Sequence, residues 1–296
     1  MTKTKSAKII DGKVLSGIIR EEIMVGVEAL KAQKITPGLA VVLVGDNPAS
    51  HVYVRNKRKT CEELGYNSFS HDLPINCTER RLLNLIAKLN DDPKVHGILV
   101  QMPLPNHIDA NKVLLAINPD KDVDGFHPVN MGKLLIGEPA FVPCTPKGCQ
   151  EMLIRSGINP SGKHVVIVGR SNIVGKPMAA LLMQKGPGAD ATVTICHSRT
   201  KKIASIIKEA DIVIAAIGVP HFIQSRMVKE GVVVIDVGMN RIEDKTRKSG
   251  FRLVGDVDYD RVVKKARAIT PVPGGVGPMT ITMLMKNTLE AASRAL

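Results

Sequence analysis

Apolar, strand-like runs alternate with helical patterns along nearly the whole of this 296-residue chain, and that alternation restricts it to an α/β architecture. The candidate strands are residues 39–44, 98–101, 164–169, 192–196, 212–217 and 232–237. Their continuous Val/Ile/Leu character fits parallel strands covered on both faces. Helical patterns occupy about residues 48–64, 79–89, 147–156, 175–185 and 202–210. The irregular stretch GEPAFVPCTP sets a boundary near residues 143–146, and a last helix, about 279–296, follows the Pro/Gly-rich run TPVPGGVGP. The expectation is two domains. Residues 1–143 plus 274–296 form an N-terminal α/β domain completed by the C-terminal helix, and residues 144–273 form a Rossmann-type domain with a mostly parallel sheet.

Aromatic residues make up 3% of the chain and Trp is absent, so Val, Ile, Leu, Ala and Met must build the core. The formal charge is +13, from 41 basic and 28 acidic residues. No Lys/Arg block is interleaved with aromatics, which argues against a stacking platform for nucleic acid. A phosphorylated cofactor and a polyanionic substrate suit the excess, as does a solvated basic surface. The cysteines are Cys61, Cys77, Cys144, Cys149 and Cys196. Their odd number, without CxxC, suggests neither a disulfide framework nor a zinc site. No HxxxH or HExxH occurs, so no metal is expected. The segment MTKTKSAKIIDGK lacks an apolar stretch of signal-peptide length, and no apolar run reaches membrane-spanning length. A cytoplasmic protein without membrane contact is expected.

The segment KHVVIVGRSNIVGKPMAALL reads strand, tight turn, helix. Gly169 closes the strand and Gly175 opens the helix, where a Rossmann unit sets a pyrophosphate on the helix N-terminal amides. The spacing departs from G-x-G-x-x-G: Ser171 stands at the second glycine and Gly175 falls one position late. Ser171 is small and its hydroxyl can donate to a phosphate. Pro177 suits a helix start. A plain glycine turn is the other reading of this segment. The second strand, ATVTIC, is followed by His197-Ser198-Arg199, without the acid that binds a ribose 2′-hydroxyl in an NAD site. Ser198 and Arg199, helped by Arg170, can meet a 2′-phosphate instead, which favours NADP. The strand ends ADIVIAAIG and VVVIDVGMN finish in small residues or in Gly238 and Met239, as close approach of a cofactor requires.

In the first domain, GDNPASHVYVRNKRKTCEELG follows a strand and reads as a helix capped by Asp46 or Asn47, with Pro48 in its first turn. Tyr53, Lys57, Cys61 and Leu64 share one stripe. Arg58 has Glu62 and Lys59 has Glu63 at i+4, but Lys57 has no carboxylate at three or four residues' distance. It either snorkels to solvent or, if desolvated, acts as a base with a depressed pKa. Gln101 ends the strand of HGILVQMPLP, either reaching into a cleft or serving as a satisfied edge amide. NPDKDVDGFHP copies the first half of an EF-hand loop, but Met131 stands where the bidentate acid belongs, so calcium is rejected. One of Asp120, Asp122 and Asp124 can instead hold a ring N–H and an amino group of a heterocycle, leaving the other two as solvated turn residues. In ITPVPGGVGPMT, Gly274, Gly275 and Gly277 let backbone approach a ligand closely.

Taken together, VGDNPASHVYVRNKRK, GILVQMPLP, DKDVDGFHP, GRSNIVGKP, VIDVGMN and TPVPGGVGPMT resemble the bifunctional methylenetetrahydrofolate dehydrogenase/methenyltetrahydrofolate cyclohydrolase family. The pieces occur in the family's order and span nearly the whole chain, and the Gly-x-Ser turn is the family's own form. The resemblance implies NADP-dependent oxidation of 5,10-methylenetetrahydrofolate to the 5,10-methenyl cation, then hydrolysis to 10-formyltetrahydrofolate, in one-carbon metabolism and purine biosynthesis. It makes the first domain the folate-binding catalytic domain and the second the NADP-binding one, with both ligands expected in a cleft between domains. Tyr53 would pack on the folate ring system, Lys57 would handle protons, Gln101 would tune Lys57, and Asp124 would hold the pterin. Pro273, Gly274, Gly275 and Gly277 would line the folate site. Gly169, Arg170, Ser171, Ile173, Val174, Gly175, Ser198, Ile217, Gly218, Met239 and Thr280 would contact NADP. A homodimer and a substrate with or without a polyglutamate tail are implied in the same way. The rivals are a monofunctional dehydrogenase, which loss of the lysine would mark, an unrelated NADP dehydrogenase, and a basic nucleic-acid-binding protein, favoured only by charge.

Overall fold

A computed structural model of the protein describes residues 6–247 and 250–295. The ends of the first expected domain, residues 1–5 and 296, lie outside the described residues. In chain order the elements are β1 (Lys8–Ile9), α1 (Gly12–Ala32), β2 (Gly38–Val44), α2 (Pro48–Glu63), β3 (Asn67–Leu73), α3 (Glu79–Asp91) and β4 (Gly97–Val100). There follow α4 (Ala110–Ala116), α5 (Pro128–Ile136), α6 (Cys144–Arg155), β5 (His164–Val168), α7 (Gly175–Leu182), β6 (Thr192–Cys196), α8 (Ile203–Glu209) and β7 (Ile212–Ala215). The last are β8 (Val233–Asp236), β9 (Asn240–Glu243), β10 (Phe251–Val254), α9 (Tyr259–Val262), β11 (Ala268–Ile269) and α10 (Val276–Ser293).

The chain forms two compact units, one of Gly17–Cys144 with Ile281–Leu296 and one of Met1–Ser16 with Thr145–Thr280. This corrects the expected ends: residues 6–16 and 274–280 fall with the second unit. The physical reason is strand pairing. Lys8 and Ile9 extend the second unit's sheet by lying parallel to Ala268 and Ile269.

The first unit holds a parallel sheet of order β3-β2-β4. Every residue of the central strand GLAVVLV is buried, as a strand covered on both faces demands. On α3, Thr78 accepts the Arg81 N–H as N-cap, and Leu82, Ile86 and Leu89 turn one face inward. They pack with Val42, Ile98 and Val113 in one core. The C-terminal helix completes this unit. The Tyr66 hydroxyl donates to the Met285 carbonyl at 2.9 Å, and Asn287 Nδ2 donates to the carbonyls of Val123 at 2.8 Å and Val142 at 3.0 Å.

The second unit holds a six-stranded sheet of order β1-β11-β8-β7-β5-β6, parallel throughout. A separate antiparallel ribbon pairs β9 with β10. Strand β5 has β6 on one side and β7 on the other, so the chain reverses its direction of travel at β5. In open α/β sheets, ligands bind in the crevice outside the carboxyl ends of the two strands at such a switch point. Here those ends are Gly169 and residues 216–218. Among the described residues, no helix is long and apolar enough to cross a membrane.

Candidate active site

In the first unit, β2 hands the chain to α2 through Gly45, whose φ of +85° favours glycine. Asn47 Oδ1 accepts the Ser50 N–H at 3.3 Å, so Asn47 caps the helix. The stripe beginning at Tyr53 descends from surface to core: Tyr53 is 42% exposed, Lys57 half-buried, and Cys61 and Leu64 buried. Lys59 lies 3.6 Å from Glu63. The pairing expected between Arg58 and Glu62 is corrected, because Arg58 meets Asp72 on the neighbouring polar strand β3 while Glu62 stays exposed.

Lys57 Nζ donates to Gln101 Oε1 at 3.0 Å. Gln101 follows β4 directly, and its own N–H is anchored on the Val42 carbonyl at 2.8 Å. The amide's orientation is set at its other end, where Nε2 donates to the Met102 carbonyl at 2.8 Å. An amide has one acceptor oxygen, and this geometry turns it to Lys57. Burial pushes the Lys57 amine below its usual range, with Asp124 and Cys144 pulling the other way. Burial likewise pushes Asp124 above the usual carboxylate range, opposed by Lys57 and by a hydrogen bond from Cys144. Lys57, Gln101 and Asp124 are thus gathered in one unit, with an amine whose pKa burial holds below its usual range.

Of the other acids in the DxDxD run, Asp120 is exposed but Asp122 is 2% exposed, which corrects its reading as a solvated turn residue. It accepts from the N–H groups of Phe126 at 3.3 Å and His127 at 2.8 Å and from Asn130 Nδ2 at 2.9 Å. The loop folds back on the carboxylate because Gly125, at φ +77°, packs where a Cβ would stand 2.7 Å from the Phe141 carbonyl oxygen. Burial raises the Asp122 carboxyl to about 6.

In the second unit, a Cβ on Gly169 would overlap the Ala216 carbonyl oxygen, and one on Gly175 would overlap the Gly169 carbonyl oxygen. Both positions need glycine for close packing. Ser171 Oγ accepts from the Val174 N–H at 3.1 Å and the Gly175 N–H at 3.4 Å. Those bonds use its two lone pairs, leaving its O–H to donate outward, which fits a phosphate beside the turn. Val174 is buried and Ile173 exposed at the same turn. The Gly169 N–H donates to the Cys196 carbonyl at 2.8 Å, which sets Arg170 and the turn after β6 on adjacent strand ends. That second turn is closed by His197 and Thr200, at 2.9 Å from His197 N to Thr200 Oγ1, with Ser198 and Arg199 exposed. Three basic or hydroxyl side chains at one corner fit a cofactor carrying a 2′-phosphate.

The remaining expected contacts are spread through the second unit. The N–H groups of Ile217 and Gly218 both donate to Asp256 Oδ2, at 2.7 and 2.8 Å. Met239 is exposed, and its Cε lies 3.0 Å from where a Cβ of Gly277 would be. Thr280 Oγ1 is 3.0 Å from Thr145 Oγ1. Pro273 is exposed, Gly274 adopts φ +106°, and Gly275 is buried against Gly12. Residues 273–277 therefore belong to the six-stranded unit, whereas Tyr53, Lys57, Gln101 and Asp124 belong to the three-stranded one.

Sequence reading missed Cys144 beside Lys57 and Asp124, and the buried acids Asp236 and Asp256, the latter with its partner Asn240. An acid inside the apolar run VVVID was the available signal, since a charge in such a run must be paired or hydrogen-bonded.

The family model described as Tetrahydrofolate dehydrogenase/cyclohydrolase, catalytic domain matches residues 10–124, and the one described as Tetrahydrofolate dehydrogenase/cyclohydrolase, NAD(P)-binding domain matches residues 143–296. Bifunctional protein FolD of Dehalococcoides mccartyi is 62% identical over 291 residues, 98% of each chain. A crystal structure of the bifunctional enzyme FolD, methylenetetrahydrofolate dehydrogenase/cyclohydrolase, from Campylobacter jejuni has a TM-score of 0.93 at 49% identity, covering 98% of this chain and 100% of that one. The N5,N10-methylenetetrahydrofolate dehydrogenase-cyclohydrolase of Trypanosoma brucei, solved with NADP cofactor and inhibitor, has a TM-score of 0.92 at 42% identity over 98% of both chains.

Proposed function

The chain belongs to the tetrahydrofolate dehydrogenase/cyclohydrolase family, and on that premise we propose how its residues divide the family's two reactions between them. The enzyme oxidises 5,10-methylenetetrahydrofolate with NADP to the 5,10-methenyl cation, then adds water to give 10-formyltetrahydrofolate and a proton. The observation that carries the assignment of residues is the Lys57–Gln101 hydrogen bond beside Asp124.

NADP, when bound, supplies the acceptor for the hydride that leaves the methylene carbon. The protein's part in that step is positioning. The Gly169–Gly175 turn and Ser171 hold the phosphates, and Ile173, Val174, Ile217, Gly218, Met239 and Thr280 line the cofactor's path. Arg170 and Ser198 hold the 2′-phosphate. In the hydrolytic step Lys57 Nζ takes the proton from the water that attacks the methenyl carbon. A neutral amine there also avoids repelling a cationic substrate. Gln101 fixes the amine's direction. Asp124 accepts from donors on the pterin edge, which favours its ionised form when substrate binds. Tyr53 covers the ring, and Pro273, Gly274, Gly275 and Gly277 supply backbone to the folate. A cytoplasmic homodimer acting on folates with or without a polyglutamate tail completes the reading. Five buried free cysteines support a reducing compartment, and sedimentation at equilibrium tests the dimer.

The deciding assay follows absorbance of NADPH and methenyltetrahydrofolate together. Both must appear and the methenyl signal must then decay. A stable methenyl signal would leave a monofunctional dehydrogenase. Two variants test the division of roles. Gln101→Leu removes the acceptor that favours the ammonium, so the pH at which hydrolysis rises should move to lower pH. A profile unchanged in position would remove Gln101 from its role. Arg170→Ala with Ser198→Ala should cut the preference for NADP over NAD by about tenfold or more, as expected for lost charge-assisted bonds. A wild-type preference for NAD would sink that assignment.

A further inference from the structure

The carboxylate of Asp256 is fully buried, and its partners are donors at the carboxyl edge of the six-stranded sheet. Oδ2 accepts the N–H groups of Ile217 and Gly218 at 2.7 and 2.8 Å, and Oδ1 accepts Asn240 Nδ2 at 2.8 Å. Asp256 is itself held by a second buried acid. Asp236, the last residue of β8, accepts the N–H groups of Gly238 and Asp256 at 2.9 Å on Oδ1 and that of Val257 at 3.0 Å on Oδ2. Space is cleared for both acids: a Cβ on Gly255 would overlap Asp236 Oδ2, and one on Gly238 would overlap Asp256 Oδ1. The segment thus tied down is the end of β7, one wall of the switch point. The peptide joining Ala216 to Ile217 is held from two sides. Its N–H meets Asp256, and its carbonyl, trans to that N–H, abuts Gly169 in the turn after β5.

We propose that Asp256, held by Asp236, is a positioning residue for the dinucleotide: it sets the spacing of the two loops that flank the switch point and keeps the amides of 217 and 218 turned away from the ligand. The inference rests on the reading that this unit binds NADP. It has two physical consequences. With the N–H groups of Ile217 and Gly218 used by Asp256, the anionic part of the cofactor is left to the Gly169–Gly175 turn. Loss of the Asp256 charge loosens the β7 wall relative to Gly169 without touching Lys57, Gln101 or Asp124.

The test is Asp256→Asn in the full-length chain. An asparagine oxygen still accepts from one side, but its NH2 meets N–H groups that have lost their acceptor. NADPH fluorescence titration should show a dissociation constant raised about tenfold or more, as for loss of hydrogen bonds to a charged group. Amide exchange at residues 217 and 218 should accelerate. Hydrolysis of methenyltetrahydrofolate, assayed without NADP, should stay within about twofold of wild type, because Lys57, Gln101 and Asp124 lie in the other unit. Should Asp256→Asn fail to fold, Asn240→Ala removes one bond to the same carboxylate and should weaken NADPH binding by a smaller factor with hydrolysis intact. NADPH affinity unchanged in a folded Asp256→Asn, or in Asn240→Ala when the former does not fold, overturns the proposal. A wild-type protein that does not bind NADPH overturns the underlying reading instead.

Discussion

Lys57→Met will lower methenyltetrahydrofolate hydrolysis by about 10²–10⁴-fold, the range for loss of a positioned general base, while NADPH affinity stays near wild type. Methionine matches the stem of lysine in length and apolar character, so the stripe above Cys61 and Leu64 still packs. Only the amine bonded to Gln101 is lost. Lys57→Arg will not restore the rate, because a guanidinium does not release its proton in this range. The pH dependence of the wild type carries the same information. The neutral amine is the active form, so hydrolysis rises as pH increases through the Lys57 pKa. Burial lowers that pKa, so the rise is complete at lower pH than for an ordinary lysine. A variant hydrolysing at the wild-type rate, or a profile without this rise, would show that Lys57 is not the base.

Gly169→Ala will weaken NADPH binding by at least about tenfold and destabilise the six-stranded unit by about 1–3 kcal/mol or more, the usual cost of forcing a methyl into a filled space. Two costs combine. The residue sits at φ +139°, a conformation L side chains rarely adopt, and the new methyl would overlap the Ala216 carbonyl oxygen. That carbonyl has little room to retreat, since the Ala216 N–H is bonded to Val168 O at 2.8 Å and the next amide to Asp256. Urea unfolding followed in parallel with NADPH titration checks both effects. Wild-type affinity would mean that this close approach does not shape the cofactor site.

The central strands of both sheets were legible because burial on both faces writes continuous apolar runs, as in GLAVVLV and the buried part of HVVIV. The edge strand β3, NSFSHDL, was not, since a strand partly open to solvent tolerates polar residues that read as loop. Strands β1 and β11 have two residues each and are too short to show any period. Helix α1 carries Gly17 and Gly26, which lower local helix preference. Gly26 is explained only by tertiary packing, since a Cβ there would stand 2.7 Å from Leu289 Cδ2.

The site divides similarly. Tyr53 and Lys57 share a helix, so their common stripe follows from spacing alone. Gln101 is 44 residues from Lys57, and no local pattern links them; only the resemblance suggested the pair. Asp122 was misread because a DxDxD run followed by glycine looks like a solvated turn, whereas its burial depends on the chain returning at residues 126–130. Asp256 was invisible as a site residue because its partners Gly218 and Asn240 lie 38 and 16 residues away.

The pairing of Lys8 with Ala268 and the bond from Asn287 to Val123 have a consequence for biosynthesis. A ribosome releases this polypeptide from its N-terminal end, yet each unit recruits a piece from near the other end. The larger sheet lacks its outermost pair of strands until Ala268 and Ile269 have been translated. The smaller unit lacks the lid over Tyr66 and Val123 until Met285 and Asn287 emerge. Neither unit can complete its core before those residues have been made, so until then each carries unfinished apolar surface.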